Sequence, residues 1–158
     1  MPEDVITGAR LEPATLLDLP ELTDLLTYLF EEEEDFEPDR EKQERGLRLI
    51  LEQPNRGRIF VVRNDHTIIG MVNLLFTIST AEGGFVILME DLVIHPAHRG
   101  QGFGTLLIEH VKKFCLEKDF LRITLLTDRV SDRSQHFFAH HGFVRSKMLP
   151  MRLVLRNP

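Results

Sequence analysis

Cysteine occurs once in these 158 residues, which rules out an internal disulfide. Cys115 falls at an apolar position of a predicted helix, the setting of a small buried hydrophobe rather than of a reactive thiol. No apolar run approaches the roughly 20 residues that span a bilayer. The start, Met1-Pro2-Glu3-Asp4, has neither the basic nor the apolar stretch of a signal peptide. The expectation is a cytoplasmic protein with no membrane partner. A basic stripe able to neutralise phosphates is missing too, which argues against a nucleic-acid binder. There are no internal repeats or long linkers, and 42% of the residues are hydrophobic, so the length suits one domain over residues 1–158 with one sizeable core.

Acid, by contrast, is concentrated in one place. The net charge is -6, yet residues 31–39 hold seven acids without a base, so the remaining 18 acids are met by 19 Lys and Arg. Before this stretch, Leu19, Leu22, Leu25, Leu26 and Leu29 recur at helical spacing, with Asp18 as N-cap and Pro20 in the first turn. After it, Pro38-Asp39 opens a second helix containing Leu47, Ile50 and Leu51, which Gln53-Pro54-Asn55 should end. A strand is expected before the first helix.

Runs rich in β-branched and aromatic residues follow at 59–62, 67–78 and 85–94, separated by Asn64-Asp65-His66 and Glu82-Gly83-Gly84. They predict three antiparallel strands joined by hairpin turns. Helical spacing returns over 104–118 with Leu107, Val111, Phe114 and Cys115 inward, and 121–126 reads as a buried strand. A short helix is predicted from Asp132 to about His141, capped by Ser131 and closed by a left-handed Gly142. Phe143-Val144 and residues 151–155 read as closing strands. Only the strand, helix, strand unit over 85–126 is expected to contain a parallel pair, which makes the fold class mixed α/β, of α+β type.

The chemistry is concentrated in the segment His95-Pro96-Ala97-His98-Arg99-Gly100-Gln101-Gly102-Phe103-Gly104-Thr105, between a strand and a helix. Three glycines in five residues let N–H groups approach a ligand closely, and the helix behind adds unsatisfied donors and a positive dipole end. Such a loop is an anion cradle suited to a pyrophosphate, with Arg99 as a permanent charge at its edge. A P-loop would end in Gly-Lys-Ser or Gly-Lys-Thr, where this one has Gly104-Thr105-Leu106. A dinucleotide fingerprint would follow a repeated parallel unit rather than hairpins.

The loop resembles that of the GNAT superfamily of N-acetyltransferases. Their signature is Arg or Gln, two residues, Gly, any residue, then Gly or Ala, and Arg99, Gly102 and Gly104 meet it. Leu92-Val93-Ile94-His95-Pro96 upstream, Phe137-Phe138-Ala139-His140-His141-Gly142-Phe143 downstream and the order of predicted elements match as well. The resemblance implies a mostly antiparallel central sheet flanked by about four helices, with one splayed parallel strand pair. It implies acetyl-CoA as cosubstrate, its pantetheine lying in the splay against the backbone of Leu92, Val93 and Ile94. The pyrophosphate would lie on Arg99, Gly100, Gln101, Gly102, Phe103, Gly104 and Thr105, and Ser131 stands where relatives often place a cofactor-binding asparagine. A strand amide would polarise the thioester carbonyl, and transfer to an amine would be direct. Homodimers are common in the family.

A protonated amine must lose a proton before it attacks, and a carboxylate on the cofactor strand is well placed to take it. Glu90 and Asp91 sit there, and strand alternation is expected to send one toward the acceptor and the other away. The resemblance favours Glu90 as the base. Many relatives protonate the departing thiolate with a tyrosine, at a position held here by Phe138, while the single tyrosine, Tyr28, falls in the first helix. That departure makes a non-catalytic acetyl-CoA binder the alternative function. His136, His140 and His141 have no further ligand set at recognisable spacing, so no metal is expected. In the family the first two helices and their connection cover the acceptor side. Here that connection is the acidic stretch, which would attract a cationic amine on a small molecule or a peptide.

Overall fold

The computed structural model describes residues 8–128 and 131–156, and Met1-Pro2-Glu3-Asp4 lies outside the described residues. Strand β1 (Ala9–Pro13) is followed by a 3-10 turn (Leu16–Asp18) and by helices α1 (Leu19–Glu32) and α2 (Arg40–Leu51). Strands β2 (Gly57–Asn64), β3 (Thr67–Ser79) and β4 (Gly84–Ile94) come next, then a 3-10 turn (Pro96–His98) and α3 (Phe103–Glu117). Strand β5 (Ile123–Leu125) and helix α4 (Asp132–His140) complete the series.

Local chemistry accounts for the helix ends. α1 starts after Asp18 with Pro20 in its first turn, where a missing N–H is harmless. α2 starts after Asp39, whose carboxylate accepts from Lys42 N, while Gln43 Oε1 accepts from Asp39 N. The Gln43 amide nitrogen then donates to Thr23 O and Thr27 Oγ1 on α1. One buried polar side chain thus ties α2 to α1 and helps fix the acidic connection between them. α4 is capped by Ser131 Oγ, which accepts from Ser134 N, and Gly142 follows with φ +94°.

The five strands lie in the order β1-β2-β3-β4-β5, antiparallel except for β4 and β5, which pair in parallel from Ile87↔Ile123 to Met89↔Leu125. Alternation along β2 divides the core in two. Phe60 and Val62 join Phe103, Leu107 and Val111 of α3 on one face, while Ile59 and Val61 join Leu22, Leu25 and Leu47 of α1 and α2 on the other. Each such side chain contributes on the order of 1.5–3 kcal/mol by burial. Cys115 lies in the α3 core.

A bulge in β4 breaks that alternation. Met71 pairs with Val93 and Asn73 with Glu90, so two steps on β3 face three on β4, and Asp91 takes a left-handed φ of +54°. Ile87 and Met89 therefore face α3, whereas Val93 faces α1 and α2.

Two expectations about the end of the chain are corrected. The strand expected over 121–126 is only Ile123–Leu125 and is half-buried rather than buried, with Leu121 and Leu126 more than half exposed. Phe143-Val144 and residues 151–155 form no strand, and every described residue from Val144 onward is exposed. Their apolar, β-prone composition gives a tendency to pair, but a strand also needs an open edge with matching register, which composition does not supply. Among the described residues, no helix is long and apolar enough to cross a membrane.

Candidate active site

The bulge and the loop after β4 together build the site. Pairing with β5 ends at Met89, so among the described residues the β5-facing backbone edge of Leu92, Val93 and Ile94 has no strand partner. Their other edge is occupied by β3, through Val93 and Ile94. The β5-facing edge offers backbone groups of the kind an extended, amide-bearing chain pairs with, Ile94 O being already taken by Arg99 Nε.

Past Ile94, His95 N donates to Ile69 O, and His95 Nδ1 accepts from Ala97 N to open the 3-10 turn. Gly100 and Gly102 take φ of +76° and +92°, a region open chiefly to glycine, and Gly102 is the N-cap of α3. No side chain caps this helix, so the N–H groups of its first turn, from Phe103, Gly104 and Thr105, remain available to an anion. Buried Phe103 anchors the turn in the core. A Cβ on Gly104 would stand 3.2 Å from Phe137 Cζ, so glycine allows α4 to sit against the start of α3. Gln101 is half-buried beside these glycines.

Arg99 is already engaged. Its Nε donates to Ile94 O at 3.0 Å and its Nη1 to Glu32 Oε1 at 2.7 Å, which links the glycine loop to the last residue of α1. Thr105 Oγ1 lies 3.2 Å from His141 Nε2, and burial holds that imidazole below its ordinary pKa. Ser131 Oγ, besides capping α4, donates to Ser134 Oγ at 3.0 Å.

The carboxylates gather at the bulge. Asp91 Oδ2 accepts from Asn73 Nδ2, and Asn73 shares a face of β3 with Met71, toward α1. The expected opposition of Glu90 and Asp91 across the sheet is therefore corrected by the extra residue. Burial and the charge of Glu90 push Asp91 up to about 6, against the Asn73 hydrogen bond. Glu33, just beyond α1, is pushed up to about 7, first by burial and then by Asp91, Asp128, Asp35 and Glu90. The start of the acidic stretch thus faces β4.

Sequence reasoning missed Asn73, although an amide within the apolar run from Ile68 to Phe76 is itself a signal. Asn73 Oδ1 is buried without a hydrogen-bond partner. Asp128 was missed as well, because nothing local marks it. Phe138 packs between Phe137 and Phe143, with ring centroids at 5.4 and 5.8 Å. Tyr28 packs edge-on to His95 at 5.1 Å and lines a cavity of about 350 Å³ with Glu21, Asp24 and Thr67. Among the described residues, no group of three His, Cys, Asp or Glu side chains is arranged to hold a metal ion.

Comparison with known proteins agrees with this geometry. The acetyltransferase (GNAT) family model matches residues 19–143, from the start of α1 to just beyond α4. No curated protein matches the sequence. An aminoglycoside acetyltransferase from an uncultured soil metagenomic sample, solved with sisomicin, is 22% identical over 96% of this chain and 99% of its own, with a TM-score of 0.78. A chain from Clostridium difficile 630 is 13% identical, covering 94% and 99%, with a TM-score of 0.85. A chain from Clostridium acetobutylicum solved with acetyl-CoA is 16% identical over 91% and 96%, with a TM-score of 0.75. At these identities the likeness establishes the fold. The family model spans both the bulged strand and the glycine loop, and on that match the chain belongs to the GNAT family of acetyltransferases.

Proposed function

We propose that this chain is an acetyl-CoA-dependent N-acetyltransferase acting on a primary amine of a cationic small molecule or peptide. The observation that carries this reading is the meeting of Glu33, Asp91, Asp128 and Glu90 where β4 parts from β5, next to an uncapped helix N-terminus. Acetyl-CoA would supply the activated thioester. The first-turn amides of α3 and the Arg99 guanidinium would take the pyrophosphate, and the unpaired edge of residues 92–94 would orient the pantetheine arm. One of those amides would donate to the thioester oxygen as charge develops on it.

An ammonium entering among the carboxylates would relieve their mutual repulsion and draw Glu33 and Asp91 back toward the ionised form. Glu90, directly across from Asn73 and exposed, would accept the ammonium proton before attack. The aminoglycoside acetyltransferase of similar fold supports a small-molecule acceptor.

Thiol release from acetyl-CoA tests the proposal, measured with spermidine, an aminoglycoside, a basic peptide and a neutral amine. Turnover should favour the cationic acceptors, and Glu90→Gln should lower it by about 100-fold while CoA binding is retained. Tight CoA binding with no thiol release from any acceptor would instead support an acetyl-CoA-binding protein. The observation favouring that second reading is Phe138, whose ring has no proton to give the departing thiolate.

A further inference from the structure

His141 is the C-cap of α4 and only 8% exposed, a titratable ring held against the first two turns of α3. Phe137 helps to keep it there, meeting the imidazole edge-on at 4.7 Å and abutting Gly104. The two ring nitrogens face different partners. Nε2 lies 3.2 Å from Thr105 Oγ1, and Nδ1 lies 3.6 Å from Glu109 Oε1, one turn further along α3. Glu109 is shared with Lys112 Nζ at 3.3 Å. Among the described residues, Glu109 and Lys112 on α3 and His140 on the ring's own helix are the charged and titratable groups that face it.

Thr105 has one hydroxyl proton and two uses for it. Where Nε2 is bare, the hydroxyl donates to the ring and turns its lone pairs toward whatever lies at the start of α3. Where Nε2 carries a proton, the ring donates to Oγ1, and the hydroxyl proton is free to point outward. A neutral imidazole holds a single proton, and the charge of Glu109 favours Nδ1 for it. Nε2 is then bare. Burial, followed by the charges of Lys112 and His140, holds the ring below its ordinary pKa against the opposing effect of Glu109, so this neutral arrangement prevails in the free protein at neutral pH.

On the reading that places the pyrophosphate of acetyl-CoA at the first turn of α3, we propose that His141 is a positioning residue for that anion, acting through Thr105. The ring takes up a proton from solvent as the pyrophosphate arrives, and the Thr105 hydroxyl becomes a donor to it. In the protonated ring Nδ1–H faces Glu109 and Nε2–H donates to Oγ1, so the hydroxyl proton is left for a phosphate oxygen. A nearby anion favours the charged imidazole, and protonation and binding therefore support each other. Affinity falls as pH rises through the interval between the free and the occupied ring.

Isothermal titration with dephospho-CoA reads this linkage, because its pyrophosphate has no group that titrates near neutrality. From about pH 6 to about pH 8 the Kd of the parent should rise by roughly fivefold, and paired buffers of different ionisation enthalpy should show up to about one proton taken up. His141→Gln offers an amide N–H to Thr105 without titrating, so its Kd should stay flat to within about twofold. Thr105→Val should lose the slope and bind more weakly than the parent at the acid end. A slope that persists in either variant, or a parent that binds with neither slope nor proton uptake, would overturn the proposal and leave the cofactor reading standing. Failure of the parent to bind CoA at any pH would remove that reading, and the role of His141 with it.

Discussion

A residue with φ near +90° at the head of a helix leaves little room for a side chain, and Gly102 is in that position as the N-cap of α3. A methyl group there costs about 1–2 kcal/mol in backbone strain, which the loop would relieve by turning its amides away from the anion. Gly102→Ala should raise the KM for acetyl-CoA by roughly tenfold and leave the acceptor KM unchanged, as steady-state kinetics will read. Asn73 acts on charge instead of shape. Its hydrogen bond favours the ionised form of Asp91, whose pKa stands at about 6. In Asn73→Ala that pKa rises further, so the acid limb of the kcat/KM profile should move to higher pH.

At the level of elements, the junction of α1 and α2 depends on Gln43, which satisfies both Thr23 O and Thr27 Oγ1 from a buried position. Gln43→Ala removes these two bonds and the one Gln43 Oε1 accepts from Asp39 N, leaving Thr27 Oγ1 to Thr23 O, and should cost about 1–3 kcal/mol in urea denaturation. It should also loosen the acidic connection, which would show as faster amide exchange over residues 33–38. These helices were legible in the sequence because their signals are contiguous: Asp18 and Pro20, Pro38-Asp39 ahead of Leu47, Ile50 and Leu51, and Ser131 before α4. The glycine loop was legible for the same reason. The bulge at Asp91 was not, since it depends on register between β3 and β4 that neither strand encodes alone. The gathering of Glu33, Asp91 and Asp128 was equally hidden, because it joins a residue just past α1, one inside β4 and one beyond β5, far apart in sequence. Apolar content near the C-terminus announced strands at 143–144 and 151–155 but could not say where an edge would be found for them.

Over the whole molecule, the crowding of carboxylates makes stability depend on pH. Glu33 moves from 4.5 to about 7 on folding, so between those values the folded chain binds more protons than the unfolded one, and stability falls as pH rises through that window. Glu33→Gln removes the Glu33 share of the dependence and leaves that of Asp91, pushed up to about 6. The variant should match its parent below pH 4.5 and exceed it above pH 7 by about 1 kcal/mol, a figure discounted for solvent screening, as urea midpoints at the two extremes will show. The single sulfhydryl supplies a means of watching such transitions. Burial on the inner face of α3 pushes Cys115 up to about 11, which leaves it unreactive in the native molecule. A colorimetric disulfide reagent added to the folded protein therefore has no background from the protein itself, and all early absorbance belongs to liberated CoA. Under denaturing conditions the same reagent reports one equivalent per chain as the core opens, so a single dye times both turnover and global unfolding.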